Sequence, residues 1–437
     1  MRTEDLILVS VDDHVVEPAN MFDQHVPAQH KAQAPRVVRK KDGSDVWLFQ
    51  GEQIVNIGLN AVVGRAPEEY GMEPTSFDQL RKGTFDVHER IRDMNANGVL
   101  ASMCFPSFPG LCGALFFRQA DRALARVMLQ AYNDWHIDEW CGSYPGRFIP
   151  LSLPPFWDPQ LMAEEIRRVG RKGCHAVTFT ERPEELGLPS FHSEHWNPFW
   201  TACSDEGTIV CIHIGSGAGM KFSSMDAPVD VMITTQPISS SINCGADLLW
   251  SPVLKQFPRL KIAMSEGGIG WIPYFLERAD YVHQHHKAWT HQDFGGKAPS
   301  QVWREHVITC FIDDPVGVRN RHSVGVDTIT WECDYPHSDT TWPQSPEILA
   351  RSLDGVPDGE VNKITHGNAL RAFRLDPFAR RPKQQCTVAA LRAEAPDVDL
   401  SIKRSLGGKP PVAGPVRPVT TQDVLQQLAS VYSSTPE

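Results

Sequence analysis

The sequence contains no run of about 18 apolar residues, which is the length that a helix needs to cross a membrane. Its first residues, MRTEDLILVSVDDH, place acids where a secretory signal peptide has a basic start followed by a continuous apolar stretch. We therefore expect neither a membrane-spanning helix nor a signal peptide, and we predict a cytoplasmic protein.

Positive charge is scarce, because 42 Lys and Arg residues stand against 53 Asp and Glu residues, for a formal net charge of −11. Surfaces that bind nucleic acid or anionic membranes are usually basic, so we expect neither partner. Internal repeats and a glycine-rich phosphate loop are also missing from the sequence. The partner that remains is a small-molecule substrate.

The ten cysteines include no CxxC pair, so no redox or zinc motif of that type is present. Several lie within apolar runs such as VCIHIG and VITCFID. A buried, reduced thiol behaves as a small apolar side chain, and we predict that role for them.

Short apolar runs rich in β-branched residues recur eight times and are separated by longer amphipathic segments. The predicted strands span residues 6–12, 99–105, 147–153, 174–180, 208–214, 260–266, 307–313 and 327–334. The predicted helices span residues 86–98, 118–140, 158–173, 197–207, 271–286 and 358–373. Nearly continuous apolar strands that alternate with helices are typical of an α/β fold with a parallel sheet. Eight such units predict a closed (β/α)8 TIM barrel, with an open doubly wound sheet as the alternative.

Two regions fall outside this pattern. Residues 30–85 form a predicted insertion after the first strand, and insertions at that end of a barrel often cover an active site. From about residue 376 the chain becomes rich in Pro, Arg and Lys. We predict one barrel domain over residues 1–375 and a C-terminal linker and packing arm over residues 376–437, with a short helix at 420–432.

Polar side chains occur where several predicted strands end. Asp12 and His14 follow the first strand, His213 ends the fifth, Glu266 ends the sixth and Asp334 ends the eighth. In a barrel the carboxyl ends of the strands meet at one mouth, so positions far apart in sequence become neighbours. Each residue alone has an ordinary structural explanation, but together they favour a site for one divalent metal ion. Zinc is our first expectation and manganese the second.

The ordered segments SVDDHVVEP, CIHIG, SEGGIGWIPYFLERAD, ECDYPHSD and ITHGNALRAF resemble the amidohydrolase-related family, in the branch that includes aminocarboxymuconate-semialdehyde decarboxylase. The resemblance covers roughly residues 5–375. It implies a (β/α)8 barrel with a single divalent metal, in a homodimer or a larger homo-oligomer. It also implies Asp12, His14, His213 and Asp334 as the metal ligands. Asp12 replaces the first histidine of the family's HxH motif, and Glu266 replaces its strand-six histidine.

A metal-activated water that attacks a carbonyl-type bond, such as an amide, an ester or a carbon–carbon bond, is the reaction that we predict first. In this hydrolase hypothesis Asp334 takes the proton of the water. Glu266 or His337 could protonate the leaving group, although Glu266 could instead be a metal ligand and His337 a loop residue that only contacts water. The missing strand-six histidine favours hydrolysis modestly over the alternative, a metal-dependent non-oxidative decarboxylase of an aromatic or unsaturated acid. A barrel that only binds a ligand is the third hypothesis.

The aromatic residues Trp47, Phe49, Tyr70 and Trp342 predict an aromatic-lined mouth for a small aromatic or carboxylic substrate. Glu17 could contact a ligand, but a solvent-exposed loop acid is the default interpretation. His175 lies within the fourth predicted strand, and we interpret it as an ordinary buried histidine.

Overall fold

Eleven strands form two sheets in the computed structural model, which describes residues 1–55, 58, 60–217, 221–412 and 417–432. The strands are β1 (Leu8–Val15), β2 (Arg36–Arg39), β3 (Asp45–Phe49), β4 (Glu52–Ile54), β5 (Val99–Pro106), β6 (Phe148–Ile149), β7 (Ala176–Phe179), β8 (Ile209–His213), β9 (Lys261–Ser265), β10 (Val307–Phe311) and β11 (Ile329–Trp331). Eight of them pair in the parallel order β6-β5-β1-β11-β10-β9-β8-β7, and β2, β3 and β4 form a separate antiparallel sheet.

The eight-stranded sheet closes on itself. A parallel bridge joins Ser152, just after β6, to Val177 in β7. The Ser152 amide donates to the Ala176 carbonyl at 3.0 Å, and the Thr178 amide donates to the Ser152 carbonyl at 3.0 Å. The predicted (β/α)8 barrel is therefore confirmed, and the open doubly wound sheet is wrong.

Helices occur in all six predicted segments, but the longest helix, Val229–Trp250, was not predicted, and the predicted helix at 358–373 is divided. The helices are α1 (Phe22–His25), α2 (Val87–Asn97), α3 (Ala114–Arg118), α4 (Arg122–Trp135), α5 (Pro159–Gly170), α6 (Asn197–Glu206), α7 (Val229–Trp250), α8 (Val253–Gln256), α9 (Ile272–Thr290), α10 (Pro299–His306), α11 (Pro315–Arg319), α12 (Arg321–Val324), α13 (Ser345–Ser352), α14 (Asp358–Asn362), α15 (Asn368–Ala372), α16 (Val388–Ala393) and α17 (Thr421–Tyr432). Asp86 and Asp158 cap α2 and α5 by accepting backbone N–H groups, which satisfies donors that a helix start leaves free. No helix in the described residues is both long enough and apolar enough to span a bilayer.

The strands divide their side chains between two cores. Alternate residues such as Ile209 and Cys211 fill the barrel interior, while Val210 and Ile212 pack outwards against the helices. Ala369, Phe373 and Leu391 belong to the interior core. All ten cysteines are buried and free, as the sequence predicted.

The insertion carries the small sheet, and its aromatic residues do not form a mouth. Trp47 is 1% exposed and packs on Phe108 with 4.4 Å between ring centroids, and Phe49 is 2% exposed. The indole N–H of Trp342 donates to the Asp93 carbonyl at 3.1 Å. The predicted aromatic-lined mouth is therefore wrong for these three residues, because Trp47 and Phe49 of the insertion and Trp342 of the segment after β11 are buried in packing contacts. Tyr70 is half-buried.

Residues 403–409 of the C-terminal segment lie along the insertion. The Lys403 amide donates to the Gly64 carbonyl at 2.8 Å, and Lys409 and Glu73 exchange two backbone hydrogen bonds of 3.1 and 3.2 Å. Further on, the Thr421 amide at the start of α17 donates to Ala227, just before α7, at 2.9 Å. The proposed division at residue 375 stays a prediction. Residues 56, 57 and 59 of the insertion, and 413–416 and 433–437 of the arm, lie outside the described residues.

Arg65 joins three parts of this region. Its buried guanidinium donates to the carbonyl oxygens of Met72 at 2.8 Å, Gly407 at 3.0 Å and Gln79 at 3.0 Å. A buried cation that is held only by carbonyl oxygens depends on all of those hydrogen bonds, because it has left its water shell behind.

We expect the substitution Arg65→Gln to lower the free energy of unfolding by about 3 kcal/mol, since it removes charge-assisted hydrogen bonds and leaves carbonyl groups unpaired. Urea denaturation measures this change. Arg126→Gln is the matched control, because Arg126 pairs with Glu164 on the exposed faces of α4 and α5 and such pairs contribute about 0–1 kcal/mol. Equal stabilities for the two variants would contradict the role assigned to Arg65.

Candidate metal centre

Four of the predicted site residues converge at the carboxyl ends of the barrel strands. The Nε2 atoms of His14 and His213 lie 3.3 Å apart. His14 Nε2 lies 3.3 Å from Asp334 Oδ1, and His213 Nε2 lies 3.5 Å from Asp12 Oδ2. All four side chains are at most 2% exposed. The predicted ligand set therefore forms one cluster, although strands β1, β8 and β11 supply it from opposite ends of the chain.

An irregularity in β1 directs Asp12 and His14 into the barrel. Ile7, Val9 and Val11 point into the interior, and the pairing of β1 with β5 shifts register between Ser10 and Asp13. Such a bulge exchanges the two faces of a strand. In a regular strand Asp12 and His14 would point away from the interior, on the face opposite Ile7, Val9 and Val11. Because of the bulge they face the mouth instead.

Asp13, between these two residues, has a structural role. Its carboxylate accepts hydrogen bonds from the hydroxyl groups of Ser10 and Ser102 and from the Tyr335 amide. It thereby ties β1 to β5 and to the segment after β11. Burial raises the pKa of Asp13 to about 6, although Arg90 and these hydrogen bonds oppose the shift.

Backbone strain marks two site residues at strand ends. Asp334 has a φ of 55° and Glu266 a φ of 60°, both in the left-handed region that non-glycine residues rarely adopt. Strained conformations of this kind are concentrated at functional sites, where the surrounding structure holds them. Glu266 follows β9 directly, and this conformation places its Oε2 at 3.1 Å from His213 Nε2. Its side chain remains 18% exposed, unlike those of Asp12 and Asp334.

Both histidines are prepared to act as neutral ligands. His213 Nδ1–H donates to the Ile214 carbonyl at 2.6 Å, which leaves the lone pair of Nε2 directed at the cluster. Burial lowers the pKa of His213 to about 4. Burial and the neighbouring His337 hold the pKa of His14 well below its usual range.

No Lys or Arg side chain in the described residues forms an ion pair with the acids of the cluster. No donor in the described residues makes a hydrogen bond to either oxygen of Asp12. Burial, followed by repulsion from Glu332 and Glu266, raises the pKa of Asp12 well above its usual range. Burial opposes the ionisation of Asp334, but His337 and His14 outweigh it and keep the pKa of that carboxyl low.

A divalent cation fits this donor set. It would offset the repulsion among the carboxylates and would bind the free oxygens of Asp12. The separation of the two Nε2 atoms also agrees with such an ion, because two nitrogens at 2.0–2.1 Å from a tetrahedral ion are roughly 3.3 Å apart.

His337 belongs to the site, so its interpretation as a loop residue that only contacts water is wrong. Its ring stacks on that of His14 with 3.7 Å between centroids, and its Nδ1 lies 3.0 Å from Asp334 Oδ1. The Tyr335-Pro336 turn brings it back over the end of β11. Asp334 is thus held between two imidazoles.

Glu332 is a site residue that the sequence analysis missed. It is 1% exposed, accepts the Cys310 thiol at 2.6 Å and accepts the Glu266 amide at 3.2 Å. Burial raises the pKa of Glu332 to about 8. Its signal was present in the sequence, because Glu332 precedes Asp334 by two residues and such residues share one face of a strand.

Glu17 is buried, so its interpretation as a solvent-exposed acid is wrong. It accepts hydrogen bonds from the amides of Ser107 and Phe108 and from the Tyr132 hydroxyl. The carboxylate fixes the loop after β5 beside the mouth. His175 precedes β7 at the opposite end of the barrel and does not reach the site. It is half-buried, so its interpretation as a buried histidine is wrong.

Solved structures share this fold at low sequence identity. An amidohydrolase from Mycobacterium avium subsp. paratuberculosis has a TM-score of 0.65 and 18% identity, covering 84% of this chain and 99% of that chain. A 5-carboxyvanillate decarboxylase from Novosphingobium aromaticivorans, complexed with manganese and 4-hydroxy-3-methoxy-5-nitrobenzoic acid, has a TM-score of 0.58 and 19% identity over 86% of this chain and 98% of that chain. A 2,6-dihydroxybenzoate decarboxylase from Rhizobium has a TM-score of 0.54 and 17% identity over 84% of this chain and 99% of that chain.

No curated protein matches the sequence significantly. A family model, in contrast, matches residues 25–375, which include His213, Glu266 and Asp334 but not Asp12 and His14 of β1. That match covers most of the barrel and agrees with the resemblance carried by the sequence motifs. The chain belongs to the amidohydrolase family.

Proposed function

We propose that this protein is a metal-dependent, non-oxidative decarboxylase of a small aromatic or unsaturated carboxylic acid. The observation that carries the proposal is the position of Glu266, a partly exposed carboxyl beside the metal cluster whose Oε2 lies 3.1 Å from His213 Nε2. Burial and then repulsion from Asp334 and Glu332 raise the pKa of Glu266 well above its usual range. Decarboxylation requires an acid that protonates the carbon from which carbon dioxide leaves. Two solved structures with this fold, both decarboxylases of aromatic acids, support the same reaction.

The residues that would hold the ion are Asp12, His14, His213 and Asp334. When bound, a divalent ion would polarise the carboxylate or an adjacent oxygen of the substrate and stabilise developing negative charge. Two imidazoles and two carboxylates suit zinc. Manganese is the alternative, which the manganese-bound decarboxylase supports.

The chain's own residues complete the reaction. The bond between the ring or vinyl carbon and the carboxylate breaks, its electron pair stays on the carbon, and carbon dioxide leaves. Glu266 donates its proton to that carbon and becomes a carboxylate. Its exposed edge lets it take a proton back from solvent. His337 holds Asp334 in place, because its Nδ1 lies 3.0 Å from Asp334 Oδ1.

Hydrolysis is the second candidate function, and the lowered pKa of Asp334 favours it. An ionised, buried carboxylate beside the ligand cluster can accept a proton from water, which is the general base that hydrolysis needs. Our sequence-based preference for hydrolysis relied on the missing strand-six histidine. Burial and the neighbouring acids raise the pKa of Glu266, so that this carboxyl could supply a proton in place of the histidine, which removes the reason for that preference.

Carbon dioxide release distinguishes the two reactions. We expect the purified enzyme to release carbon dioxide from members of a panel of hydroxybenzoates and unsaturated acids, and to leave the matching aromatic amides and esters intact. In heavy water the product should carry deuterium at the carbon that lost the carboxylate. Hydrolysis of amides or esters, with solvent oxygen in the product acid, would contradict the decarboxylase proposal.

The substitution Glu266→Gln separates an acid from a metal ligand. We expect it to retain the metal and to lower kcat by about 100-fold or more, because a positioned general acid contributes on that order. Glu164→Gln, on the exposed face of α5, removes the same charge and should change kcat little. Loss of bound metal in Glu266→Gln would show that Glu266 is a ligand and would contradict its role as the proton donor.

Metal analysis tests the cluster itself. Protein purified without chelator should contain close to one zinc or manganese ion per chain, and His213→Ala should lose most of it because one imidazole ligand disappears. His175→Ala is the matched control, since His175 lies at the opposite end of the barrel. Activity without bound metal, unaffected by a chelator, would contradict the metal-dependent mechanism.

A further inference from the structure

A cavity lies at the barrel end opposite the metal cluster. Its volume is about 470 Å³, and its walls include the first residues of three strands, Ile209 of β8, Lys261 of β9 and Val307 of β10. Its size is within the range of sites for small molecules, which is about 300–1,000 Å³.

Cations dominate the lining of this cavity. Lys261, Arg304, Arg371 and Arg374 all border it. None of these four side chains takes part in an ion pair among the described residues. The protein as a whole carries a net charge of −11, so four unpaired cations around one cavity are a local departure from its general charge.

The acids that border the same cavity form ion pairs with other residues. The carboxylate of Glu305 lies 2.6 Å from Lys297, and that of Asp327 lies 2.7 Å from Lys363. Neither lysine lines the cavity. The charge of Glu305 also acts on Lys261, but the lining as a whole holds more cations than acids.

Backbone carbonyl groups hold two of the arginines in place without neutralising them. Arg304 donates to the Ser323 carbonyl at 2.6 Å and to Val324 at 3.2 Å. Arg371 donates to the Asp327 carbonyl at 2.9 Å. Lys261 similarly donates to the Glu305 carbonyl. Fixed donors that keep their full charge are the arrangement that binds phosphate and carboxylate groups well.

Arg374 makes no hydrogen bond in the described residues. Its own φ is 55°, a left-handed conformation that costs free energy in an arginine. A Cβ at Gly207 would lie 1.9 Å from Arg374 Nη2, so the glycine that ends α6 leaves the space that this guanidinium occupies. A cation near the end of a helix also stabilises the helix dipole. That role alone does not explain three further unpaired cations around the same space.

We propose that this cavity binds a small polyanion that carries two or more phosphate or carboxylate groups. Each anionic group would accept hydrogen bonds from a guanidinium and would relieve the repulsion among the four cations. The site is independent of the metal cluster, which lies at the other end of the strands.

Isothermal titration calorimetry of the intact protein with pyrophosphate, citrate and inorganic phosphate tests the proposal. We expect pyrophosphate or citrate to bind more tightly than inorganic phosphate, and the tighter of the two identifies the preferred anionic group. Arg374→Gln should weaken that binding about tenfold or more, because it removes a charge-assisted contact. Lys261→Gln provides a second variant in case Arg374→Gln does not fold.

Arg126→Gln is the matched control, since it removes one exposed positive charge on α4 and should leave the affinity unchanged. Binding that is lost in His213→Ala but kept in Arg374→Gln would place the anion at the metal cluster and overturn the proposal. The absence of measurable binding at millimolar pyrophosphate and citrate would overturn it as well.

Discussion

The repulsion among buried carboxyl groups is the constraint on which the mouth of this barrel depends. Asp12, Glu266, Glu332 and Asp334 lie close together, and no Lys or Arg of the described residues forms an ion pair with them. Acids in such surroundings either keep their protons or acquire a cation. Both tendencies are present in the cluster, because Asp12, Asp334 and the two histidines could hold a metal ion, while burial and mutual repulsion raise the pKa values of Glu266 and Glu332. The proposed proton donor and the proposed metal site thus have one electrostatic origin.

Most of the fold was predictable because it depends on local patterns. Continuous apolar runs identified the eight barrel strands, and the parallel arrangement followed from the helices between them. The same reasoning placed Asp12, His14, His213 and Asp334 at one end of the barrel. The carboxyl ends of parallel strands in a closed barrel all lie on the same face, so this prediction did not require any distance between residues.

Long-range contacts explain what was not predictable. The position of His337 depends on a turn that folds it back onto His14. The burial of Glu17 depends on donors that come from residues about 90 positions away. Trp47 and Phe49 could have lined a pocket or packed a core, and only the docking of the small sheet decided between them. Glu332, in contrast, could have been found from strand alternation, and its omission was an error of interpretation.

The hydrogen bonds between residues 403–409 and the insertion affect how the protein is made. A ribosome releases the barrel strands first and the C-terminal segment much later. The insertion therefore gains its hydrogen bonds to this segment only after the residues of all eight barrel strands have been synthesised. Until that segment docks, Gly64 and Glu73 in the nascent chain lack the backbone partners that they have in the folded protein.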